Sequence, residues 1–455
     1  MYLTIKHIHW ENLHLYNPAS RLGLGKLGLI GRDRQILELE RLLYEPQAGI
    51  LIYGLAGFGK TALVRGFLRW LRDTGGLRTE DGSGSCPIVW FDFRDQFSAS
   101  GLFRYLFSEL ISGETAQREE EMKHLLVEYM KQNKTFVIWD NFEFLHERMP
   151  EDEQVRVKDF LNCLQGGRTK VILTSRTKED WLGTACARTA EYLPGLEGDG
   201  LWDFCKALAD KYAYTLDPND QDLRRLTDRL DGNPLSIRAV LSRLRECTPA
   251  KLYLKLEKAF ERYPEVEGSG QLPAAFEVVR SAEGTEFKLI LDFLGLHEHI
   301  ADADYMEELL LSLLRIEPSP SDHLVLVQHI QSCFALLEQA GLCAPAGQNI
   351  FSIHPALRSC LAENFPAQER AKRVFVVGMC DFENRCHSDE VRRRKFCRYH
   401  EANLSSALEL AGQLNMNKET LYLLSALAIS ASDRGDYRRA ESLRLTTEKD
   451  CFKNA

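Results

Sequence analysis

Residues 49–73 read GILIYGLAGFGKTALVRGFLRWLRD. Within them Gly54, Gly59, Lys60 and Thr61 fit the pattern G-x-x-x-x-G-K-[ST] without a mismatch, after a short apolar run, Gly49 to Tyr53, and before a helix-like ALVRGFLRWLR. That order is what a phosphate-binding loop needs. Glycines let the backbone wrap around an anion with its N–H groups pointing inward, because a Cβ would block either the turn or the approach of the phosphate. A helix starting at Lys60 adds unpaired N–H groups and the positive end of its dipole. Lys60 is then placed to reach the β- and γ-phosphates, and the Thr61 hydroxyl to ligate Mg²⁺. Gly57, Phe58 and Ala62 complete the loop residues expected to line the nucleotide.

Three further apolar runs, PIVWFDF (87–93), TFVIWD (135–140) and TKVILTS (169–175), are separated by helical stretches. Buried strands with helical crossovers predict an α/β domain over residues 28–195, a parallel sheet with helices on both faces and ligands at the carboxyl ends of the strands. The run Val137-Ile138-Trp139-Asp140 ends in the carboxylate that a Walker B strand requires. Asp140 is expected to hold Mg²⁺ through water while Thr61 holds it directly; the alternative is an aspartate that caps a turn. The next residue is Asn141, not an acid, and an amide cannot take a proton from an attacking water. Hydrolysis is therefore expected to be slow unless Glu143 or a neighbouring subunit supplies the base. Arg176 follows TKVILTS, where a fixed cation can register a γ-phosphate, unless it simply faces solvent. Lys60, Asp140, Glu143 and Arg176 form the candidate catalytic set.

From residue 196 to 273 the pattern turns helical. Gly232-Asn233-Pro234-Leu235 separates two helices with turn chemistry, and YPEVEGSGQLPAAF (263–276) reads as a linker. Residues 274–366 carry amphipathic helices, then a strand-like GLCAPA, a Gly-Gln-Asn turn and a strand-like IFSIH leading into another helix, which predicts a winged-helix domain. Residues 367–455 read as helical. Gly435, Tyr437 and Ala440 stand there in the order that tetratricopeptide hairpins use. A solenoid needs about three repeats and a cap, so the chain is expected to end within or just after an array.

At 455 residues and 44% hydrophobic, the chain has apolar material for several cores, and its length suggests about three domains. No apolar run approaches the ~20 residues of a membrane span. The opening MYLTIKHIHW lacks a charged region followed by an apolar block, so a soluble, cytoplasmic protein is expected, with no membrane partner. The 12 cysteines show no regular pairing and read as reduced, buried small hydrophobes. Cys380, Cys386, His387, Cys397 and His400 match no common zinc spacing and read as part of a helical core. With 57 basic against 66 acidic residues, a net charge of −9, the chain has no broad electrostatic footprint for nucleic acid.

Taken in order, LIGRDRQILELERLL, GLAGFGKTAL, FVIWDNFEFL, VILTSRT, GNPL and FSIHPAL resemble the STAND class of signal-transduction ATPases, and within it the NB-ARC group, over roughly residues 28–366. The resemblance implies that Gly31 and Arg32 form the hhGR element over the adenine or ribose, and that Gly59, Lys60 and Thr61 form the phosphate loop. It further implies that Asp140 is the magnesium aspartate, Arg176 the sensor arginine, and Pro234 the G-x-P proline that packs on adenine. His354 takes the place of the winged-helix histidine that contacts the ADP β-phosphate, although Ile353-His354-Pro355 stands where the family often has Met-His-Asp; otherwise it is a core histidine at a strand end. The implied behaviour is an ATP/ADP switch, closed with ADP and opening with ATP to oligomerise through the ATPase domains. C-terminal repeats would sense a protein trigger and an effector would be a partner, since residues 1–27 are too short for a folded enzyme. The ATPase region is most similar to bacterial STAND proteins whose partner domain is a caspase-like protease, which implies a defence or regulated-death role.

Two rivals stand beside this reading. A STAND-type transcription regulator would need a basic recognition helix, yet HPALRSCLAENF offers only Arg358, and the basic run Val391-Arg-Arg-Arg-Lys-Phe fits a solvated face. A turnover enzyme such as a kinase or motor ATPase is opposed by Asn141.

Overall fold

Successive residues of the apolar runs pack on opposite sides of one sheet. On β3 (Phe136–Asp140), Phe136 and Ile138 join a core with Ile50, Ile52, Phe67 and Trp90, while Val137 and Trp139 join another with Leu51, Val89, Phe91 and Leu173. A strand buried on both faces has no polar side to alternate with, which is why the runs are nearly continuous in sequence. With β1 (Gly49–Tyr53), β2 (Ile88–Asp92), β4 (Lys170–Ser175) and β5 (Ala187–Thr189), they form a parallel sheet in the order β2-β3-β4-β1-β5. The protein is seen here as a computed structural model that describes residues 28–453 except 80–81, 83, 95–97, 112–117, 218, 264–270, 281–283, 315–319, 348, 387–389 and 434–435.

Helix Lys60–Asp73 buries Leu63, Val64, Phe67, Leu68 and Leu71 against one face, a helical spacing that seats it over the sheet. Helix Ala99–Leu110, capped by the Ser98 hydroxyl, covers the other. The fold class read from the sequence, a P-loop α/β domain followed by helical modules, is the one observed. Strand β5 was not foreseen: it is a three-residue edge with exposed Arg188 and Thr189, too short and polar to give an apolar run.

Beyond the sheet come helices Gly198–Lys211, Gln221–Arg229, Pro234–Leu241, Pro249–Arg262 and Gln271–Arg280. The last of these corrects only the end of the stretch read as a linker, since Gln271–Phe276 is buried helix packed on helices Pro234–Leu241 and Pro249–Arg262, while 264–270 lie outside the described residues. Pro273 is tolerated because it lies in the first turn, where no intrahelical acceptor needs its N–H. Helices Thr285–Leu294, Ala303–Leu314 and Pro320–Ala340 lead to the hairpin β7 (Cys343–Gly347) and β8 (Ile350–Ile353), with Asn349 left-handed at φ 58 in the turn. A strand the sequence did not announce, β6 (Ile300–Asp302), adds to β8 and makes an antiparallel sheet β6-β8-β7.

Helix Pro355–Asn364 follows, and helices Glu369–Cys386, Glu390–Gln413, Asn417–Asp433 and Tyr437–Lys453 then pack each on the next. The start of the last helix reaches back to helix Ala99–Leu110: the Ser98 hydroxyl donates to Asp436, and Arg104 lies 5.7 Å from the Tyr437 ring. Cys380, Cys397 and His400 are buried in this region, whereas Gly435, His387 and the side chains of Cys386 and Arg392 to Arg394 lie outside the described residues. Among the described residues no helix is long and apolar enough to cross a membrane.

Candidate functional site

The loop between β1 and helix Lys60–Asp73 turns on two left-handed glycines, Gly57 at φ 84 and Gly59 at φ 89, a conformation that L side chains rarely adopt. Gly54 is fixed by crowding instead: a Cβ there would come within 2.9 Å of the Leu193 carbonyl. Lys60 folds across the loop and its Nζ donates to the carbonyls of Gly54 at 2.7 Å and Leu55 at 3.1 Å. Burial, partly offset by Glu143 and Asp140, lowers its pKa to about 8. A lysine held with so little solvation answers to an anion in the loop. Phe58 is buried, its carbonyl accepting from Arg32, while Ala62 is half-buried in the first turn of the helix.

At the carboxyl end of β3, Asp140 Oδ1 accepts from Thr61 Oγ1 at 2.9 Å and from Thr174 Oγ1 at 2.5 Å. Burial, reinforced by Asp92, raises its carboxyl above the ordinary range. The register puts Asp92 of β2 directly beside Asp140. Burial would raise Asp92 as well, but Arg94, paired at 2.6 Å, overrides it and holds that carboxyl well below the ordinary range. Asn141 is left-handed at φ 58, and its amide donates to Asp92 at 3.0 Å. A carboxylate at position 141 would face Asp92, which accounts for an amide at this position.

Arg176, beyond β4, makes two contacts that matter: its Nε donates to Glu143 at 3.0 Å and its Nη2 to the Ser359 hydroxyl at 3.2 Å. It is thus not the solvent-facing arginine of the alternative reading. His354 lies half-buried at the start of helix Pro355–Asn364 and caps it, Nδ1 accepting from Ala356 N–H at 3.1 Å. That bond leaves Nε2 as the protonated nitrogen of the neutral ring. Burial and the charges of Arg94, Lys60, Arg176 and Arg238 lower its pKa to about 3, so the ring is a neutral donor in a basic surround.

The Gly232-Asn233-Pro234-Leu235 segment docks on the phosphate loop. Asn233 Nδ2 donates to the Ala56 carbonyl at 3.1 Å, and Leu235 N–H to the Gly57 carbonyl at 3.3 Å, while Pro234 sits at the first helical position. Sequence reasoning named Pro234 and missed Asn233, whose N-cap role was its one available signal. Gly232 is left-handed at φ 60, and a Cβ there would meet the Leu196 carbonyl oxygen at 2.1 Å. Gly232→Ala is therefore expected to destabilise the protein by about 2 kcal/mol or more, read as a melting midpoint several degrees lower by scanning fluorimetry. Gly31, at φ 66, abuts Gly200, and Arg32 is buried with Nη2 on the Phe58 carbonyl at 3.0 Å and Nη1 reaching Gly195 at 3.5 Å. Burial lowers the Arg32 pKa to about 10. This arginine holds the loop through the Phe58 carbonyl.

Further joints missed by the sequence tie the distant elements together. Arg94 Nη1 reaches the Ile353 carbonyl at 3.4 Å, and Arg238 donates to the carbonyls of Glu338 and Gln339 that end helix Pro320–Ala340. Glu298 accepts from Arg148 at 2.9 Å and from Arg358, so the one basic residue of HPALRSCLAENF is committed to an internal pair.

Residues 28–327 match the AAA ATPase domain family. No protein of curated function matches the sequence. Among solved structures, a STAND protein with a tetratricopeptide repeat sensor from Pyrococcus horikoshii is 16% identical, covering 92% of this chain and 58% of its own at a TM-score of 0.49. The chain thus spans little more than half the length of that protein. A Walker-type ATPase of Pyrococcus abyssi is 15% identical over 75% of this chain and 99% of its own, TM-score 0.38. The Aeropyrum pernix ORC1 protein, solved with DNA, is 17% identical over 76% and 96%, TM-score 0.35. The family match runs from the approach to β1, across the sheet and the helices behind it, into helix Pro320–Ala340, and the chain therefore belongs to the AAA ATPase domain family of nucleotide-binding proteins.

Proposed function

We propose that the protein is an ATP/ADP-operated switch of the STAND type, with NB-ARC-like parts. In this reading residues 28–195 bind the nucleotide, the helices through Arg280 form a second unit, the segment ending near residue 366 is a winged-helix module, and the remaining helices are a tetratricopeptide-like sensor. The observation that supports it best is convergence. Three elements far apart in sequence, the phosphate loop with Lys60, the loop at Asn233 and the turn at His354, meet around one basic site. An ADP there would join them, with Lys60 and the His354 Nε2 donor on its phosphates, Gly31, Arg32 and Pro234 toward the base, and Arg176 toward a γ-phosphate. The hard oxygen donors of Thr61 and Asp140, with Asp140 paired to no cation of its own among the bonds it makes, suit Mg²⁺.

Exchange of ADP for ATP shifts the balance toward an open form only through contacts that differ between the two states, and Arg176 and His354 are where such a difference arises. The open form would oligomerise, the C-terminal helices would receive a protein trigger, and a separate effector, such as a caspase-like protease in a bacterial-type defence or death response, would act in the cytoplasm. Protein as purified is expected to carry ADP, released by denaturation and identified by mass spectrometry. Its mass is expected to rise from the 52.0 kDa of one chain to a multiple when ATP and trigger are supplied. Absence of any adenine nucleotide, with only weak binding on titration, would rule the reading out.

A further inference from the structure

Glu143 opens the six-residue helix Glu143–Arg148, one residue past the Asn141-Phe142 turn that follows the strand-end aspartate. It is only 5% exposed. One carboxylate oxygen, Oε1, accepts from Arg176 Nε, whereas Oε2 is buried with no hydrogen-bond partner among the described residues. A purely structural ion pair accounts for the first oxygen and not the second. A bare acceptor in the interior costs about 1–3 kcal/mol, and such atoms in native proteins call for a reason of their own. The charges that act on this carboxylate are those of Arg176 from the end of β4, Lys60 from the phosphate loop and Asp140 from the end of β3, so the group lies within electrostatic reach of the phosphate loop. Burial, partly offset by Arg176 and Lys60, raises its carboxyl, which suits an acceptor of protons.

We propose that Glu143 is the general base for hydrolysis of a bound nucleoside triphosphate, and that Arg176 keeps it in check while helix Pro355–Asn364 is docked. The inference rests on the nucleotide-switch reading above. In the step, the oxygen of a water forms a bond to the γ-phosphorus and the water's proton passes to the Glu143 carboxylate. The bond from that phosphorus to the β,γ-bridging oxygen breaks, its electron pair leaving on the nucleoside diphosphate. Glu143 then returns the proton to the medium or to the inorganic phosphate. The restraint is built from one guanidinium with two holds: Nε on Glu143 and Nη2 on Ser359 of the docked helix. Undocking that helix removes the second hold, letting Arg176 turn to the γ-phosphate and Glu143 to the water. Position 141 then carries no catalytic duty, which agrees with its amide being spent on Asp92.

Single-turnover hydrolysis of ATP, followed by phosphate release from nucleotide-exchanged protein, tests this together with ADP and ATP affinities by calorimetry. Glu143→Gln is expected to slow phosphate release about a hundredfold or more while both affinities stay within about threefold. Glu143→Asp, which keeps the acid, is expected to fall between, and it stands in if the glutamine variant does not fold. Ser359→Ala is expected to raise the basal rate severalfold. Normal binding with unchanged hydrolysis in Glu143→Gln overturns the inference and leaves the switch reading standing, as does a wild type that binds ATP and releases no phosphate. A wild type that binds neither nucleotide overturns both.

Discussion

Lys60→Ala is expected to weaken ADP and ATP binding about a hundredfold or more, with little loss of folding stability. The size follows from the charge-assisted bonds a phosphate-loop lysine gives to phosphate oxygens, each worth about 1.5–3 kcal/mol, so that losing two removes roughly 3 kcal/mol or more. The stability half of the expectation comes from the resting geometry. Lys60 is poorly solvated, its pKa lowered to about 8, and satisfies itself on the carbonyls of Gly54 and Leu55. Burying a cation that pairs with no carboxylate at hydrogen-bond distance is unfavourable, so the loss of its two hydrogen bonds is offset by relief of that burden. Calorimetric titration gives the first quantity and a melting curve of nucleotide-free protein the second. An affinity within about threefold of wild type would remove the phosphate-loop assignment, because no other residue presents an ammonium at that point of the loop.

What the sequence disclosed and what it withheld divide along a physical line. The phosphate loop, β1, β3, β4 and Asp140 were legible because local chemistry dictates them: glycines where φ is positive, unbroken apolar runs where both faces are covered, a carboxylate where a strand ends. The hairpin β7–β8 was readable from its turn. Short edge strands were not, since β5 is exposed at two of its three positions and β6 has only three residues. The joints between modules were invisible for a different reason. Arg94 meets Ile353 across 259 positions and Arg176 meets Ser359 across 183, and such pairs impose no period or spacing on the chain. Asn233 shows the intermediate case. Its N-cap role is local and readable, whereas its bond to the Ala56 carbonyl, 177 positions away, is not.

Glu298 is where those joints concentrate, and Glu298→Lys is expected to favour the open form without a trigger. Its carboxylate, 11% exposed, accepts from Arg148 at the end of the Glu143 helix and from Arg358 on the helix that His354 caps. Its backbone N–H donates to Asn403 Oδ1 at 2.8 Å, and Asn403 Nδ2 donates on to the Ile300 carbonyl at 3.0 Å, so helix Glu390–Gln413 is held at the same point. Reversing the charge sets three cations together across the boundary between the sheet and the second β-sheet module. Breaking a fully buried pair costs about 3–5 kcal/mol and a surface pair under about 1, so these partly exposed arginines place the effect near 2 kcal/mol, roughly thirtyfold in the balance of closed and open forms. Weaker ADP retention and a larger ATP-dependent mass by light scattering are the expected results, with Glu298→Gln giving a smaller shift because it keeps an acceptor for one arginine. Should Glu298→Lys retain ADP and remain a single chain in ATP like the wild type, the closure must be held elsewhere. The Arg176 bond to Ser359 and the Arg94 bond to the Ile353 carbonyl, which join the sheet to the second β-sheet module without passing through Glu298, are then the contacts that bear it.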